Sequence, residues 1–413
     1  MISNLPQPGS DAYRALLERK PFPSEVREVV AAIIADVRRR GDAAVTEYTR
    51  RFDGATLGTS GVSPSEVSAA GDRVDPSLRD ALREAMRRIE AVHRVQLPAE
   101  PAAEPVAGAR VWREWRPFRR VGLYVPGGRA RYPSSVLMMA VPARIAGCPE
   151  VVLCSPPQPD GRLPDVVLAA AAMAGATQVH RVGGAQAIAA MAYGTETIAR
   201  VDKIFGPGNA YVTAAKVLVT GDVAIDMPAG PSELVIVTDG STPPEWLAAD
   251  LRAQTEHSPD ALGILVSTSA AVATTIDAML ADVASPRLRV LTAAGMGEAI
   301  RFADDFAPEH LALHCQEAER WLPSISQVGS VFLGPSSAPA AGDYATGANH
   351  VLPTGGSARS YGPLGVEAFG RMIQVQAVFP AATAAMVSVS DPLAQAEGLP
   401  WHGRSIALRN GAP

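Results

Sequence analysis

The side chains best suited to proton transfer lie next to each other in the segment APEHL at residues 307–311. Glu309 is a carboxylate and His310 an imidazole whose pKa can be tuned towards 7, so the pair suits two proton transfers in one cycle. Neighbouring side chains point apart in a regular helix, so both can act together only at a helix end or an irregular turn, which Pro308 favours. An isolated Glu-His pair is more often a solvated surface pair.

A second candidate pair, Gln254 and His257, lies at the end of a helix predicted over 244–257. Two leucines at i, i+4 spacing predict a buried face, Gln254 continues that face, and His257 follows one turn later. The segment TPPE at 242–245 resembles a capping box, and Ser258 followed by proline predicts the end of the helix. A buried amide and imidazole either hydrogen-bond within the core or bind a metal ion. Considered alone, this helix favours the hydrogen-bonded alternative.

Three glycine-rich turns follow predicted strands and are candidates for binding a cofactor. They are YVPGG (124–128), GGAQAIAA (183–190) and GPGNAYV (206–212). Each could present backbone N–H groups at a helix start to a phosphate. None completes the G-x-G-x-x-G fingerprint, so each turn alone is a weak nucleotide signal, and such turns are common in parallel sheets without any ligand.

Three further segments combine polar side chains with residues that shape loops. They are IDMPAGPSE (225–233) with Ser232, GDYATGANHVLPTG (342–355) with Asp343, Tyr344, Asn349 and His350, and AEGLPWHGR (396–404) with Glu397, Trp401 and His402. The first is either a rigid loop that ends a strand or a loop that presents the hydroxyl of Ser232 to a ligand. The second is long and follows a predicted strand, which favours function. The third lies near the C-terminus and predicts a docked part of a site.

Gln254, His257, Asp343 and His402 would together provide two nitrogen and two oxygen donors, a set compatible with zinc. Their separations along the chain are too long to be diagnostic, unlike a pair of cysteines two residues apart. The residues alone do not assemble these four side chains into one site.

The composition of the chain narrows the class of protein. The 413 residues are 47% hydrophobic and 19% charged, which describes a globular protein of two to three domains. A net charge of −5, from 37 basic and 42 acidic residues, argues against a nucleic-acid or anionic-membrane surface. The N-terminus has no signal-peptide pattern, and the longest apolar run, 166–176, is too short to span a bilayer. Cys148, Cys154 and Cys315 predict reduced, buried thiols in a cytoplasmic protein.

From residue 121 onwards, short β-branched runs alternate with alanine-rich helical ones. We predict strands at 121–125, 151–155, 178–183, 234–239, 262–267 and 329–334, and helices at 135–147, 164–175, 185–193, 209–219 and 244–257. This alternation is typical of an α/β protein with parallel sheets and with sites at the carboxyl ends of strands. Residues 1–118 have mostly helical periodicity, with a proline-rich linker or loop at 97–105.

The motifs, taken in order, resemble those of the histidinol dehydrogenase family. The series is YVPGG, VGGAQAIAA, GPGNAYV, IDMPAGPSE, AQTEH, APEHL, GDYATGANHVLPT and AEGLPWH, and it runs from residue 121 to residue 402. The shared order makes the resemblance specific. It implies oxidation of L-histidinol to L-histidine through L-histidinaldehyde, the last step of histidine biosynthesis, with NAD⁺ as the oxidant and one zinc ion per subunit.

The resemblance also implies roles for individual residues. It gives Gln254, His257, Asp343 and His402 as zinc ligands, Tyr124, Gln186 and Asn209 as NAD contacts, and Glu309 and His310 as the acid–base pair. The substrate contacts are the four zinc ligands and His310, joined by Ser232, His350 and Glu397, with Glu397 facing the imidazole end of the substrate. The family is a homodimer whose C-terminal tail reaches the partner's active site, so Glu397 and His402 would act in trans.

The resulting expectation is an α/β fold with two Rossmann-like parallel-sheet layers, an N-terminal helical segment and a C-terminal extended or helical tail. The expected parts are 1–118 for the helical segment that packs with the second α/β domain, 119–232 for the NAD-contacting domain, 233–370 for the zinc and catalytic domain, and 371–413 for the tail.

Three other function classes remain as alternatives. A related zinc- and NAD-dependent dehydrogenase acting on another polyol or a sulfonated diol would not need a carboxylate that recognises imidazole, so Glu397 with His350 and His402 favours histidinol. A zinc hydrolase would not need the three NAD contacts, and the chain has no HExxH motif. A catalytically inactive binding protein would be expected to lose Glu309 or His310, and both are present.

Overall fold

The structure is a computed structural model that describes residues 2–19, 24–128, 131–283, 285 and 287–410. The chain divides into two compact units. The first unit comprises Met1–Gln96 and Phe118–Phe369, and the second comprises Leu97–Pro117 and Gly370–Pro413.

The secondary structure elements are numbered in chain order. The strands are β1 (Ile2–Asn4), β2 (Ala103–Val106), β3 (Ala109–Pro117), β4 (Arg120–Tyr124), β5 (Glu150–Ser155), β6 (Gln178–Arg181), β7 (Lys203–Phe205), β8 (Ala224–Ile225), β9 (Glu233–Thr238), β10 (Leu262–Ser267), β11 (Leu288–Thr292), β12 (His310–His314), β13 (Ser330–Leu333) and β14 (Gly370–Val378). The helices are α1 (Asp11–Leu17), α2 (Ser24–Arg40), α3 (Asp42–Asp53), α4 (Pro64–Ala69), α5 (Pro76–Arg94), α6 (Pro133–Ala146), α7 (Asp165–Ala174), α8 (Gly184–Tyr193), α9 (Ala210–Val219), α10 (Pro244–His257), α11 (Ala270–Met279), α12 (Met296–Phe306), α13 (Pro339–Tyr344), α14 (Pro380–Ala396) and α15 (Pro400–Arg409).

The first unit contains two parallel sheets that share one strand order. In the first parallel sheet the order is β6-β5-β4-β7-β8, and in the second it is β1-β11-β10-β9-β12-β13. Counted from its own first strand, β4 or β9, each sheet has the order 3-2-1-4-5, with β1 added at one edge of the second. This is the doubly wound dinucleotide-binding arrangement without its sixth strand, and the strand order reverses between strands 1 and 4. The predicted α/β fold with two parallel layers is therefore confirmed.

The helices around the first parallel sheet are buried on most sides because their sequences are apolar all round. Ten of the fourteen residues of α6 are buried, and those of α7 and α8 are similarly enclosed. Pro133 occupies the first turn of α6, where a missing N–H has no consequence, and Gly147 ends that helix in a left-handed conformation. The N-terminal helix α2 packs against α8 and α9, and so covers this sheet.

The second parallel sheet has a core cluster on each face. All residues of its central strand β9 are buried. Val235 and Val237 join a cluster with Phe302 of α12, whereas Leu234 joins another with Leu247 of α10. Successive side chains of a strand point to opposite faces, so one apolar strand supplies both cores. Full burial of a side chain such as Leu247 is worth about 1.5–3 kcal/mol.

The start of α10 differs from the predicted capping box. Pro243 occupies the N-cap position, and no side chain caps the helix there. The hydroxyl of Thr242 instead donates to the carbonyl of His314 at 3.0 Å, because Thr242 is buried beside the end of β12. The predicted end is correct, since Ser258 is the C-cap and its backbone is extended.

The second unit is built on an antiparallel sheet of order β14-β3-β2. β14 pairs with β3 along its whole length, from Gly370 opposite Pro117 to Val378 opposite Ala109. The helices α14 and α15 pack against each other. The helical periodicity assigned to residues 1–118 holds for α1 to α5 but not for 103–117, which form β2 and β3. Nowhere in the described ranges does a helix combine the length and hydrophobicity needed to cross a membrane.

Candidate active site

The predicted site residues of the first unit lie near the strand ends of its two parallel sheets. One loop joins these two sheets. Residues 226–232 leave the carboxyl end of β8 in the first parallel sheet and enter β9 at its amino end in the second. Tyr124 ends β4, whereas Ser232 precedes β9 and His310 begins β12. The predicted residue Tyr124 thus lies at the carboxyl end of its strand in the first sheet, whereas Ser232 and His310 lie at the amino ends of strands in the second. The amino ends of the paired strands β9 and β12 lie side by side there.

Glu309 and His310 lie at the junction between the end of α12 and the start of β12, where Ala307 has a left-handed backbone conformation. Both side chains are buried, with 7% and 5% of their residue surfaces exposed. The Glu309 Oε2 atom accepts a hydrogen bond from the backbone N–H of Glu233 at 2.9 Å. The His310 Nδ1 atom lies 3.2 Å from the carbonyl oxygen of Glu233 and 3.4 Å from Glu309 Oε2. Both oxygens are acceptors, so Nδ1 carries the proton and Nε2 is the basic nitrogen of His310.

The two ionisable groups shift each other's pKa. Burial alone would raise the pKa of Glu309, but the charge and hydrogen bond of His310, with hydrogen bonds from the Glu233 backbone and Ser232, hold it below its ordinary value. Burial alone would lower the pKa of His310. The charge and hydrogen bond of Glu309, the charge of Asp343 and the bond to Glu233 raise it to about 8. The pair is therefore polarised, with an ionised carboxylate beside a readily protonated imidazole.

The amide of Gln254 contacts Ser232. Gln254 Nε2 donates to Ser232 Oγ at 3.1 Å and to the Leu262 carbonyl at 3.2 Å, which leaves the amide oxygen for another partner. Gln254 is buried, whereas His257 at the last turn of α10 is exposed. The predicted substrate contact Ser232 and the predicted ligand Gln254 are thus brought together.

Asp343 and His350 form another pair in the loop region after β13. His350 Nδ1 lies 3.1 Å from the backbone carbonyl of Asp343 and 3.7 Å from its Oδ1 atom, and His350 Nε2 lies 3.4 Å from Ser135 Oγ at the start of α6. Burial lowers the pKa of His350, and the charges of Asp343 and Glu309 oppose that effect. The charges of both His310 and Glu309 act on His350, which places this pair in the same site as the acid–base pair.

In the described ranges, no group of three or more His, Cys, Asp and Glu side chains is placed to hold a metal ion. The predicted zinc ligands of the first unit lie on two helices that pack against each other, Gln254 and His257 on α10 and Asp343 on α13. The pKa of Tyr344 is raised by burial and by the charges of Asp343 and Glu256, so the ends of these helices are close. An amide oxygen, an imidazole and a carboxylate are donors that fit zinc.

The predicted NAD contacts lie beyond the carboxyl ends of the strands of the first parallel sheet. Gln186 is 1% exposed, and neither atom of its amide has a hydrogen-bond partner among the described atoms. Tyr124 accepts the N–H of Gly184 at 3.2 Å, and Asn209 Oδ1 caps α9 by accepting two backbone N–H groups. Buried polar groups are nearly always paired, so the free amide of Gln186 fits a ligand that hydrogen-bonds to it.

The C-terminal candidates lie in the second unit. Glu397 is the C-cap residue of α14, and His402 lies in the first turn of α15. Both side chains are exposed in the single chain, as is Trp401 with 78% of its surface.

Two residues of the acid–base site were missed by the sequence reasoning. The backbone of Glu233 contacts both Glu309 and His310, and the Arg19 Nε atom donates to Glu233 Oε1 at 2.7 Å. The Arg19 guanidinium also stacks 3.5 Å above the ring of Phe306. A carboxylate that opens a wholly apolar strand was a usable signal for Glu233. Arg19 gives no local signal for this role, because Glu233 lies 214 residues away in sequence.

The chain is similar to known proteins along nearly its whole length. The model of the family described as histidinol dehydrogenase matches residues 18–410. The histidinol dehydrogenase of Xanthomonas campestris pv. campestris is 46% identical over 402 residues, which cover 94% of this chain and 93% of that protein. The histidinol dehydrogenase of Methanothermobacter thermautotrophicus is 45% identical and covers 92% of each chain. A crystal structure of histidinol dehydrogenase from Elizabethkingia anophelis superposes with a TM-score of 0.93 at 36% identity, covering 99% of this chain and 97% of that one. The chain belongs to the histidinol dehydrogenase family.

Proposed function

We propose that this protein oxidises L-histidinol to L-histidine through L-histidinaldehyde, with NAD⁺ as the oxidant in both steps. The observation that carries the proposal is the buried Glu309–His310 pair held by the backbone of Glu233. Two oxidations of one carbon need two proton transfers and one activated water, and the pair provides both a base and a carboxylate.

His310 acts first in the proposed mechanism. Its Nδ1–H is held by the carbonyl of Glu233, which leaves Nε2 to take the proton of the substrate alcohol. The hydride leaves the carbon that bears this alcohol group. NAD⁺, when bound, supplies the acceptor for each hydride. Tyr124, Gln186 and Asn209 are proposed to hold it, and the free amide of Gln186 supports this assignment.

Glu309 acts in the second oxidation. It stays ionised because its pKa is held down by His310 and by hydrogen bonds. It can therefore remove a proton from a water molecule that attacks the aldehyde, and the resulting hydrate would give the second hydride to NAD⁺ and a hydroxyl proton to His310. Burial of the pair excludes bulk water, so the reactive aldehyde is retained between the two steps.

Zinc is proposed to be held by Gln254, His257 and Asp343 of one subunit with His402 of the partner subunit. When bound, it orients the substrate by the imidazole and amino nitrogens rather than activating the alcohol. Ser232, His350 and Glu397 are proposed to complete the substrate contacts, with Glu397 at the imidazole end. The packing of α10 against α13 supports the grouping of the first three ligands.

A homodimer with shared active sites is proposed from the surface of the second unit. Among its described residues, the exposed large apolar side chains are Leu97, Val378, Phe379, Val389, Leu393, Leu399, Trp401 and Leu408. Such a density of exposed apolar side chains is typical of an interface. The proposed ligand His402 lies among them in sequence, so a partner that covers this surface could anchor the ligand.

The stoichiometry of NADH formation tests the proposed reaction. Limiting L-histidinol should yield about two NADH per substrate molecule, because both oxidations occur at one site. A yield of about one NADH with release of aldehyde, or no NADH at all, would show that the proposed reaction is wrong.

Removal of the metal tests the zinc proposal separately. Protein treated with a chelator should keep its circular dichroism spectrum but lose most histidinol oxidation, since the ligands orient the substrate more than they support the fold. Added zinc should restore turnover. A metal-free sample that oxidises histidinol at the full rate would refute zinc dependence.

A further inference from the structure

A buried ion pair lies behind the proposed cofactor site. Lys216 on α9 and Asp226 after β8 are each 1% exposed at the side chain, and the Lys216 Nζ atom contacts Asp226 Oδ1. The removal of two charges from water costs several kcal/mol per ion and is only partly offset by their attraction. Packing alone therefore does not explain why these two charged side chains are buried here.

Both charged groups bind the same glycine. The N–H of Gly206 donates to Asp226 Oδ2 at 2.7 Å, and Lys216 Nζ donates to the carbonyl of Gly206 at 2.8 Å. Gly206 has φ of +122°, and a Cβ atom on it would lie 2.1 Å from the carbonyl oxygen of Tyr124. The pair thus holds both peptide groups of a residue that only glycine can occupy. Gly206 opens the turn that leads to Asn209 and α9.

The same pair contacts the loop that enters the second parallel sheet. Asp226 Oδ1 accepts the N–H of Met227 at 2.6 Å, at the start of residues 226–232. That loop has other anchors, since Thr213 donates to the carbonyl of Ala229 and the N–H of Gly230 donates to Thr354. Thr213 also donates to the carbonyl of Gly208 in the turn at 3.4 Å, but both polar backbone groups of Gly206 itself bond to the pair.

We infer that the Lys216–Asp226 pair is a positioning element that fixes the Gly206 turn for cofactor binding. The inference rests on the proposed NAD-dependent function. Neither side chain is assigned a contact with substrate or cofactor. Loss of the pair should therefore weaken NAD binding through the turn, while histidinol binding, supported by the independent anchors of the loop, changes little.

The test replaces both charges together. A Lys216→Met, Asp226→Leu double variant avoids an unpaired buried charge. The melting temperature should fall, because the buried N–H and carbonyl of Gly206 lose their partners, and binding is measured at a temperature where the variant is folded. The KM for NAD should rise at least about tenfold, as for the loss of one hydrogen bond to a charged group. The KM for histidinol should change by less than about threefold.

A control ion pair lies in the same sheet, at the amino ends of its strands. Arg120 and Glu150 form an ion pair between β4 and β5 at their amino ends, with 25% of each side chain exposed. An Arg120→Met, Glu150→Leu variant should leave both KM values unchanged. If the double variant of Lys216 and Asp226 does not fold, Lys216→Gln combined with Asp226→Asn removes both charges, leaves neither one unpaired and should still weaken NAD binding.

Direct titration with NAD in the absence of substrate separates the inference from the proposed reaction. A folded double variant that binds NAD as tightly as the wild type would overturn the positioning role. A wild-type protein that binds NAD without oxidising histidinol would instead overturn the proposed reaction, and the effect of the double variant on NAD affinity would still decide the inference.

Discussion

At the scale of single residues, the chemistry depends on how one backbone segment holds two ionisable groups. The N–H of Glu233 binds the carboxylate of Glu309, and its carbonyl binds the imidazole of His310. Arg19 in turn pairs with the side chain of Glu233, whose pKa burial raises above its ordinary value although this arginine opposes the effect. The neutral form of His310 is the proposed base.

The pH dependence of the first oxidation should follow the pKa of His310. Because that pKa is raised to about 8, His310 is mostly protonated at pH 7 and becomes a base as the pH rises through 8. We expect kcat/KM for histidinol to fall about tenfold per pH unit below this midpoint. In Glu309→Gln the midpoint should move to lower pH. The variant removes the negative charge that raises the pKa of His310 against the effect of burial. An exposed control, Glu319→Gln, should keep the wild-type profile, and an unchanged midpoint in Glu309→Gln would contradict the assignment.

The two oxidations should respond differently to Glu309→Gln. The variant keeps an acceptor for the N–H of Glu233 but cannot activate water, so oxidation of histidinaldehyde should lose more than oxidation of histidinol. General-base losses are typically about 10² to 10⁴-fold. The comparison requires rates measured from each substrate separately. Equal losses on both substrates would show that the proposed division of labour is wrong.

At the scale of secondary structure elements, the long apolar segments were predictable and the short polar ones were not. The helices predicted at 135–147, 164–175, 185–193, 209–219 and 244–257 correspond to α6 to α10 within two residues at each end. The short strands β7 and β8 were missed, because three or two residues give too little alternation for a period to be read. β12 was missed because it begins at His310, inside the motif that was interpreted as chemistry.

The candidate site was predictable only as separate segments. Local sequence singled out Glu309 and His310 as a candidate acid–base pair, and the resemblance implied roles for these and the other residues. The pairing of Arg19 with Glu233 and of Lys216 with Asp226 depends on tertiary contacts with no local pattern. A lysine in the alanine-rich helix α9 was the available clue for the second pair, because a cation on a buried face needs a partner.

The turn after β7 should tolerate no side chain at Gly206. In Gly206→Ala the new Cβ would lie 2.1 Å from the Tyr124 carbonyl, and the backbone would be held at a φ of +122°. Strain and steric overlap together should destabilise the protein by at least about 2 kcal/mol. Gly221→Ala is the matched control, since nothing lies within 4 Å of its Cβ position. Similar denaturation midpoints for the two variants would contradict this reading of the turn.

At the scale of the whole molecule, the proposed zinc ligands are divided between the two units of the chain. Gln254, His257 and Asp343 belong to the first unit and His402 to the second. A ligand in a C-terminal helix must be anchored, and the exposed apolar side chains of α14, such as Val389 and Leu393 at i, i+4 spacing, suit burial against another surface. In the proposed homodimer that surface belongs to the partner subunit.

A subunit-mixing experiment tests whether each active site is shared. An inactive His402→Ala chain is combined with an inactive His310→Ala chain under conditions that exchange subunits. If sites are shared, one site of a mixed dimer collects both defects and the other collects neither. Equal mixing makes about half of the dimers mixed, so about a quarter of all sites should recover activity. If the tail acts within its own subunit, every site keeps one defect and activity stays at the level of the separate variants. Mixing wild-type chains with tagged wild-type chains verifies that subunits exchange. A lack of recovered activity despite that exchange would refute the shared site. It would not bear on the proposed zinc ligands of the first unit.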